Sequence, residues 1–215
     1  MTFPCSILIF AKAPQAGQVK TRLIPALGEQ GATNLYRQLL HHSITQACRA
    51  DIGPVELWCA PGTQDDFFTL CAKEYPLSLQ TQQGADLGEK MAHALNDALS
   101  RTGRALLIGS DCPLLEADYL RKAATMLSRN LPIVIAPTED GGYALIGTTT
   151  KNLPIFKQIE WSSVRVLAQT RQHLQTHNLP WFDLPQVWDV DTAQDLLKLH
   201  AWPEFSHTLL NLEAC

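Results

Sequence analysis

The amino-acid sequence predicts an α/β protein, a three-layer α/β/α sandwich around a mostly parallel β-sheet. Short apolar runs with the length of buried strands alternate along the chain with longer stretches in which apolar residues recur at helical spacing. The first run, residues 5–11, is apolar almost throughout, which is typical of a parallel strand that is covered on both faces. Two later runs are separated only by a tight turn, which predicts an antiparallel excursion in the second half of the chain.

The predicted elements follow one another from end to end, with no repeat, linker or low-complexity stretch, so residues 1–215 are expected to form one domain. The predicted strands are residues 5–11, 55–60, 77–80, 105–109, 133–136, 143–146 and 181–184. The predicted helices are residues 28–50, 64–73, 86–100, 119–127, 162–177 and 192–200, with a short helix at most from Pro203 onward.

Apolar stripes and capping residues support these helices. The first helix carries Leu35 and Leu39 on one face, and the third begins with Asp86 and Glu89 in a capping-box-like arrangement. The fourth helix has an apolar stripe made of Tyr119, Leu120, Ala123, Ala124 and Leu127. The fifth helix is predicted to turn four residues inward, namely Val164, Leu167, Ala168 and Leu174.

The composition is that of a globular protein, since 46% of the 215 residues are hydrophobic, 18% are charged and the formal net charge is -4. Lysine and arginine form no long block, so nothing indicates a nucleic acid or a membrane surface as a partner. The six cysteines are scattered without zinc-ligand spacing, which favours a reduced, cytoplasmic protein. No apolar stretch approaches the ~20 residues that a membrane helix needs.

An acidic residue follows the fourth predicted strand, in the segment LIGSDCPL at residues 107–114. Ligands of open α/β sheets bind outside the carboxyl ends of the strands. Asp111 is therefore placed to hold a divalent cation such as Mg²⁺, which usually has phosphate as another ligand. The alternative is that Asp111 is a helix N-cap or a turn former.

The loop after the first strand, residues 10–23, is rich in positive charge. Lys12, Lys20 and Arg22 can neutralise phosphate, and Gly17 can let backbone N–H groups approach it. The alternative is a solvated loop with incidental charges. The loop matches neither G-x-x-x-x-G-K-[ST] nor G-x-G-x-x-G, which excludes a P-loop ATPase and disfavours a dinucleotide-binding domain.

Two further segments carry acids or glycines in patterns that suit a site. Asp140, Gly141, Gly142 and Tyr143 are predicted to form a hairpin turn and, in addition, to shape an acceptor or sugar pocket. Residues 82–90 lie at a strand-to-helix junction, where Gly84 and Gly88 can let a base or ribose lie against the backbone. The same residues also suit an ordinary loop and helix cap.

The segment WDVDTAQDL at residues 188–196 places two carboxylates near a predicted helix start. Strand-like alternation puts Asp189 and Asp191 on the same side of an extended segment. One of them can cap the helix that begins near Thr192, and the other can reach a cation held by Asp111. Carboxylates from distant segments that meet at one Mg²⁺ are common in phosphoryl transfer.

Four of these motifs occur together in a fixed order: GQVKTRL at 17–23, GSDCP at 109–113, EDGGY at 139–143 and DVDT at 189–192. The pattern resembles the bacterial rSAM/selenodomain-associated transferase 1 family of the nucleotide-diphospho-sugar transferase (GT-A) superfamily, over nearly the whole chain. KTRL and DVDT are also similar to elements of 2-phospho-L-lactate guanylyltransferase, and molybdenum-cofactor guanylyltransferase is a more distant relative. The resemblance implies a GT-A fold.

The resemblance also implies site roles. The cations after the first strand would bind phosphates, Asp111 would hold Mg²⁺ or Mn²⁺, and Asp191 would complete the metal site, with Asp189 as a further candidate ligand. Lys20, Asp111 and Asp191 are accordingly the candidate catalytic residues.

The predicted activity is a metal-dependent transfer from a nucleotide sugar or nucleoside triphosphate to a small-molecule acceptor, with glycosyl transfer as one form. Nucleotidyl transfer of the guanylyltransferase type to a phosphorylated small molecule is the alternative reaction. A non-catalytic nucleotide-binding regulator on the same fold is the alternative from another class. An NAD-type oxidoreductase is disfavoured, because the glycine fingerprint is missing. The base, the acceptor and the oligomeric state stay open.

Overall fold

The computed structural model describes residues 4–127, 131–199, 202 and 205. Seven strands form its sheet: β1 (Ser6–Lys12), β2 (Val55–Ala60), β3 (Leu77–Thr81), β4 (Ala105–Ile108), β5 (Ile133–Pro137), β6 (Tyr143–Thr148) and β7 (Trp181–Asp183). They lie side by side in the order β3-β2-β1-β4-β6-β5-β7. Strand β6 is antiparallel to both of its neighbours and the other neighbouring pairs are parallel, so the predicted sheet is confirmed.

The described part of the chain contains six α-helices: α1 (Ile24–Ala50), α2 (Asp66–Glu74), α3 (Leu87–Thr102), α4 (Ala117–Leu127), α5 (Val166–Thr176) and α6 (Ala193–Leu199). Helices α1, α2 and α4 cover one face of the sheet, and α3 and α5 cover the other. Helix α6 packs against α1 in a third, smaller apolar cluster. The three predicted layers are thereby confirmed.

Strand β1 shows why its sequence is apolar almost throughout. Ile7 and Ile9 belong to the apolar cluster on one face of the sheet, and Leu8 belongs to the cluster on the opposite face. All three side chains are fully buried. A strand that is covered on both faces needs apolar residues at successive positions rather than at alternate ones.

Helix caps also follow the sequence. The Asp86 carboxylate accepts a hydrogen bond from the Glu89 amide, and the Glu89 carboxylate accepts one from the Ala85 amide, each at 2.8 Å. This reciprocal pair satisfies amide groups that the first helical turn leaves without partners. The predicted start of α3 is confirmed.

The predicted start of the fifth helix, residue 162, is four residues earlier than the observed start at Val166. Residues 162–165 precede the helix, and Ser162 has a left-handed backbone with φ of 64°. Because the helix starts only at Val166, its inner face differs from the predicted one. Val164 is 76% exposed and Ala168 is exposed, so their predicted burial was wrong, whereas Leu167 and Leu174 are buried.

Other boundaries shift by a few residues. Helix α1 starts at Ile24 rather than at residue 28, with a kink at Gly28, where φ is 68°. His200, the predicted end of the last helix, and most of the tail from Pro203 onward lie outside the described residues. The expectation of one domain stays a prediction. Within the described ranges, no helix is both long enough and apolar enough to cross a bilayer.

Candidate active site

A cleft opens at the carboxyl edge of the sheet, between the neighbouring strands β1 and β4. Their pairing ends where Ile9 lies opposite Ile108, whereas β1 continues to Lys12. Past this point the two segments separate around a cleft of about 340 Å³, lined mainly by residues 10–12, 18–22 and 109–111 together with Asp191. A cleft of this size in this place is where a small ligand binds in an open α/β sheet.

Three predicted site residues meet in the cleft. The Lys20 ammonium nitrogen lies 2.7 Å from Asp111 Oδ2 and 2.9 Å from Asp191 Oδ1. The Lys20 side chain is only 3% exposed, while those of Asp111 and Asp191 are 36% and 45% exposed. Burial lowers the pKa of Lys20, but the two carboxylates outweigh burial and the net pKa lies above its usual range. A charged lysine therefore joins two acids from distant segments.

The backbone brings the two acids together. The Val190 amide donates a hydrogen bond of 3.0 Å to the Asp111 carbonyl oxygen, and the Val190 side chain is fully buried. Neither Asp189 nor Asp191 serves as the cap near Thr192, because Asp195 Oδ2 accepts from the Thr192 amide at 2.8 Å and from the Asp191 amide at 3.1 Å. The Asp191 carboxylate is therefore free to face the cleft.

The loop after β1 adopts special backbone conformations. Lys20 has φ of 48° and ψ of 41°, in the left-handed region, and Gly17 has φ of 77°. The left-handed conformation costs a non-glycine residue about 1–2 kcal/mol. The surrounding structure must therefore hold Lys20 in place, and its two ion pairs supply such contacts. Strained residues of this kind cluster at functional sites.

All four carboxylate oxygens of Asp111 and Asp191 face a donor or a cation. Lys20 contacts one oxygen of each, the Ser110 hydroxyl donates to Asp111 Oδ1 at 3.0 Å, and Arg22 Nη1 lies 3.6 Å from Asp191 Oδ2. Burial raises the pKa of Asp191, but Lys20 and Arg22 outweigh it and the net pKa is lowered. Among the described residues, no three acidic, imidazole or thiol groups stand preassembled as a metal site.

Asp189 differs from these two acids. Its Oδ1 atom is buried and has no hydrogen-bond partner among the described residues. Burial, followed by the charges of Asp111 and Asp140, raises the pKa of Asp189 to about 7. A buried carboxylate oxygen without a donor, next to further carboxylates, has the chemistry of a cation ligand.

The other predicted site residues are less central to the cleft. Lys12 is exposed and lines the cleft, and Leu87, which belongs to the predicted segment 82–90 but was not itself predicted as a site residue, lines it too. A Cβ atom on Gly88 would lie 2.4 Å from the Phe156 carbonyl oxygen, and one on Gly84 would lie 2.7 Å from Glu89 Cβ. Both glycines thus have a reason in local packing, and their contact with a base or ribose stays a prediction.

The turn after β5 is a hairpin, as predicted. The Asp140 carboxylate accepts from the Thr138 hydroxyl at 2.5 Å and from the Gly142 amide at 3.0 Å. Gly141 has φ of 89°, and a Cβ atom there would lie 2.2 Å from the Val164 carbonyl oxygen. The buried hydroxyl of Tyr143 faces the protein interior rather than the cleft lining. The pocket-shaping role of this turn stays a prediction.

Tyr36 lines the cleft although sequence reasoning gave it no role, and Gln82 lines it although only the glycines of its segment, residues 82–90, were named as candidates. Tyr36 sits in the apolar stripe of α1, where it is indistinguishable from a core residue by spacing alone. The Gln82 side-chain amide donates to the Trp58 carbonyl at 2.8 Å and to the Ala11 carbonyl at 3.2 Å. The positions of Tyr36 and Gln82 at the cleft have no signal in the sequence, because their contacts join segments that are far apart along the chain.

Comparisons with known structures agree with the fold. A crystal structure from Desulfovibrio desulfuricans, described as a "putative nucleotide-diphospho-sugar transferase", is 30% identical, covers 98% of this chain and 95% of its own, and superposes with a TM-score of 0.85. A cytidylyltransferase from Leptospira borgpetersenii is 16% identical, with a TM-score of 0.63 over 95% of this chain and 87% of its own. Glucosyl-3-phosphoglycerate synthase from Mycobacterium tuberculosis, solved with Mn²⁺, UDP and glucosyl-3-phosphoglycerate, is 10% identical, with a TM-score of 0.52 over 98% and 80% of the two chains.

The fold and the 30% identical relative from D. desulfuricans thus place the chain in the nucleotide-diphospho-sugar transferase class. A family model described as "Uncharacterized protein conserved in bacteria (DUF2064)" matches residues 43–163. The chain belongs to this DUF2064 family. No curated protein matches it in sequence. The superfamily is confirmed, and the narrower resemblance to the rSAM/selenodomain-associated transferases stays a prediction.

Proposed function

We propose that this chain is a metal-dependent transferase that binds the phosphates of a nucleotide donor in the cleft between β1 and β4. The observation that carries the proposal is the meeting of Asp111 and Asp191 on Lys20 at the carboxyl edge of the sheet. Carboxylates suited to a divalent cation and cations suited to phosphate thus lie in one cleft. The 30% identical D. desulfuricans structure supports a nucleotide sugar as the donor class.

The positive groups supply the phosphate site. Arg22 is 70% exposed beside Asp191, and Lys12 is exposed at the end of β1, so both can turn toward a ligand without breaking core contacts. Lys20 differs from them, because its ammonium group is already paired with the carboxylates of Asp111 and Asp191. The guanidinium of Arg22 can bind two phosphate oxygens at once, whereas a lysine acts as a point charge. Gly17 has φ of 77°, which suits a tight turn, and it would let backbone N–H groups approach the phosphates.

The donor set fits a divalent cation. Asp111 and Asp191 would hold Mg²⁺ or Mn²⁺, with the partnerless Asp189 as a further ligand. When bound, the metal would neutralise phosphate oxygens and stabilise the charge of the leaving group. Because Lys20 now contacts both acids, it competes with the metal for them. A phosphate group gives Lys20 and Arg22 another anionic partner and so favours binding of the metal.

An acceptor would approach from the side of the β5–β6 hairpin. The charge of Asp140 contributes to the raised pKa of Asp189, and this supports a position of the turn beside the acidic side of the site. Asp140, Gly141, Gly142 and Tyr143 are therefore our candidates for shaping the acceptor or sugar pocket. Positioning and electrostatics would supply most of the catalysis, as in other phosphoryl-group chemistry.

A thermal-shift screen tests the proposal. Nucleoside triphosphates and nucleoside diphosphate sugars are each added at a hundredfold excess over their dissociation constants, with and without Mg²⁺ or Mn²⁺. Such a ligand stabilises the folded state by about 2.7 kcal/mol, which raises the melting temperature by about 5–10 °C for a chain of this size. A shift that needs metal and is lost in Asp111→Asn supports the proposal. No shift with any nucleotide contradicts it.

Product analysis then separates the reaction types. Pyrophosphate release from a nucleoside triphosphate in the presence of a phosphorylated acceptor indicates nucleotidyl transfer. Cleavage of a nucleoside diphosphate sugar without use of triphosphates indicates glycosyl transfer. Binding without turnover, with a biological effect that survives Asp111→Asn, indicates the regulator.

A further inference from the structure

Tyr36 of α1 reaches the point where β1 and β4 separate. The residue is 4% exposed and packs in the apolar cluster between α1 and the sheet. Its hydroxyl oxygen accepts a hydrogen bond of 2.8 Å from the Lys12 amide, and the hydroxyl donates one of 3.1 Å to the Lys12 carbonyl oxygen. A single side-chain group thus satisfies both backbone groups of the last residue of β1.

The strand geometry explains why Lys12 needs this partner. Successive residues of β1 direct their backbone groups to opposite neighbours: the Ser6 amide donates to Arg104 on the β4 side, and the Ile7 amide donates to Pro54 on the β2 side. By this alternation the backbone amide and carbonyl groups of Lys12 face the β4 side. Pairing with β4 has already ended at Ile108, so β4 does not bind the backbone of Lys12. The Tyr36 hydroxyl takes that position.

The same hydroxyl also lies close to the acidic side of the cleft. Ser110 Oγ is 3.4 Å from the Tyr36 hydroxyl oxygen and 3.0 Å from Asp111 Oδ1. Asp111 in turn contacts Lys20, which belongs to the loop that begins at Lys12. Tyr36, Ser110, Asp111 and Lys20 therefore connect the two segments that form opposite walls of the cleft.

We propose that Tyr36 is a positioning residue, which fixes the phosphate-binding loop relative to Asp111 so that both can act on one polyphosphate. The proposal rests on the proposed function, since it assumes that the cleft binds phosphates. Tyr36 acts as a hydrogen-bond donor and acceptor rather than as a base. Burial and the charge of Asp111 raise the pKa of its hydroxyl to about 12, so the hydroxyl keeps its proton at neutral pH.

The variant Tyr36→Phe tests this role, because it keeps the ring and removes only the hydroxyl. Tyr75→Phe is the matched control: its hydroxyl lies 3.1 Å from Thr45 Oγ1 and 3.4 Å from His41 Nδ1, and it does not line the cleft. Calorimetric titration measures the affinity of each folded protein for inorganic tripolyphosphate with Mg²⁺. Hydrogen exchange measures the protection of the Lys12 amide without any ligand.

We expect Tyr36→Phe to bind tripolyphosphate about tenfold more weakly than the wild type, because a lost hydrogen bond to a constrained loop changes affinity by about that factor. The Lys12 amide should exchange about tenfold faster in this variant. Tyr75→Phe should match the wild type in both measurements. A purely structural Tyr36 would lower the melting temperature and leave the affinity of the folded protein unchanged.

Each outcome decides one question. If Tyr36→Phe binds tripolyphosphate as tightly as the wild type, or if its Lys12 amide exchanges at the wild-type rate, the positioning role is overturned while the proposed function stands. If the wild type itself fails to bind tripolyphosphate with Mg²⁺, the phosphate site of the proposed function is overturned, and the role of Tyr36 with it.

Discussion

Replacing Lys20 by methionine removes the positive charge that Asp111 and Asp191 share, while it keeps a chain of similar length. If the proposed function is right, these two acids are also the ligands of the divalent cation. The ammonium and the metal then compete for the same oxygens. In the absence of nucleotide, Lys20→Met should therefore be less stable than the wild type and should bind Mn²⁺ more tightly.

The exposure of the partners sets the size of the effect. Breaking a fully buried ion pair costs about 3–5 kcal/mol, and breaking an exposed one costs about 0.2–1 kcal/mol. Lys20 is buried, but its two partners are 36% and 45% exposed and can be hydrated once the ammonium is gone. We therefore expect a loss of about 1–3 kcal/mol in the free energy of unfolding. If the loss of Lys20 makes the binding free energy of Mn²⁺ more favourable by about 1.4 kcal/mol, the metal binds about tenfold more tightly.

Mn²⁺ titration followed by electron paramagnetic resonance gives the dissociation constant, and urea unfolding gives the stability. Lys12→Met is the matched control, since Lys12 is an exposed cation that lines the same cleft. It removes one positive charge from the region, so it reports the general electrostatic effect on Mn²⁺ binding. The expected order of affinity is Lys20→Met above Lys12→Met, with Lys12→Met close to the wild type.

Equal Mn²⁺ affinity in Lys20→Met and Lys12→Met would refute the reasoning. That result would mean that the carboxylates released by Lys20 are not the metal ligands, or that Lys20 does not restrict them. Weaker Mn²⁺ binding in Lys20→Met would refute it as well. Circular dichroism of both variants shows whether the fold is retained before affinities are compared.

Three further predictions concern stability and pH. Gly88→Ala should lower the free energy of unfolding by about 1–3 kcal/mol in urea titrations, because its Cβ atom would lie 2.4 Å from the Phe156 carbonyl oxygen; wild-type stability would contradict this packing. Asp65→Ala should cost about 1 kcal/mol in the same assay, since Asp65 is the N-cap of α2 and accepts from the backbone amide two residues on, whereas the neighbouring Asp66→Ala should cost less. Burial raises the pKa of the Cys59 thiol from 9.0 to about 12. The protonated thiol therefore contributes fully to the free energy of unfolding below pH 9, and this contribution is lost between pH 9 and about 12. Urea midpoints at about pH 8 and about pH 10 under reducing conditions should show this fall in stability, and the fall should be smaller in Cys59→Ala.

The fold could be predicted from the sequence because its local signals agree with its packing. The apolar run of β1 requires cover on both faces, and the Asp-Gly turn before β6 requires an antiparallel pair. The phase of α5 could not be predicted. It depends on the left-handed turn at Ser162 and on the contact between Gly141 and Val164, neither of which shows as periodicity.

The site could be predicted only as separate parts. Asp111, Lys20 and Asp191 were each placed near the edge of the sheet by their position after a strand or in a DVDT-type segment. That Lys20 bridges the two acids depends on its left-handed backbone and on the register of β1 with β4. The role of Tyr36 depends on where β4 stops pairing, and the helical spacing of α1 gives no sign of it.

The location of a bound metal is the most direct test of the proposed site. Crystals grown with Mn²⁺ and a nucleoside diphosphate would show the metal by its anomalous scattering. We expect the Mn²⁺ peak within ligand distance of Asp111 and Asp191, with the phosphates between the metal and the loop after β1. Manganese bound elsewhere, with Lys20 still joined to both carboxylates and the nucleotide outside the cleft, would contradict the proposed function.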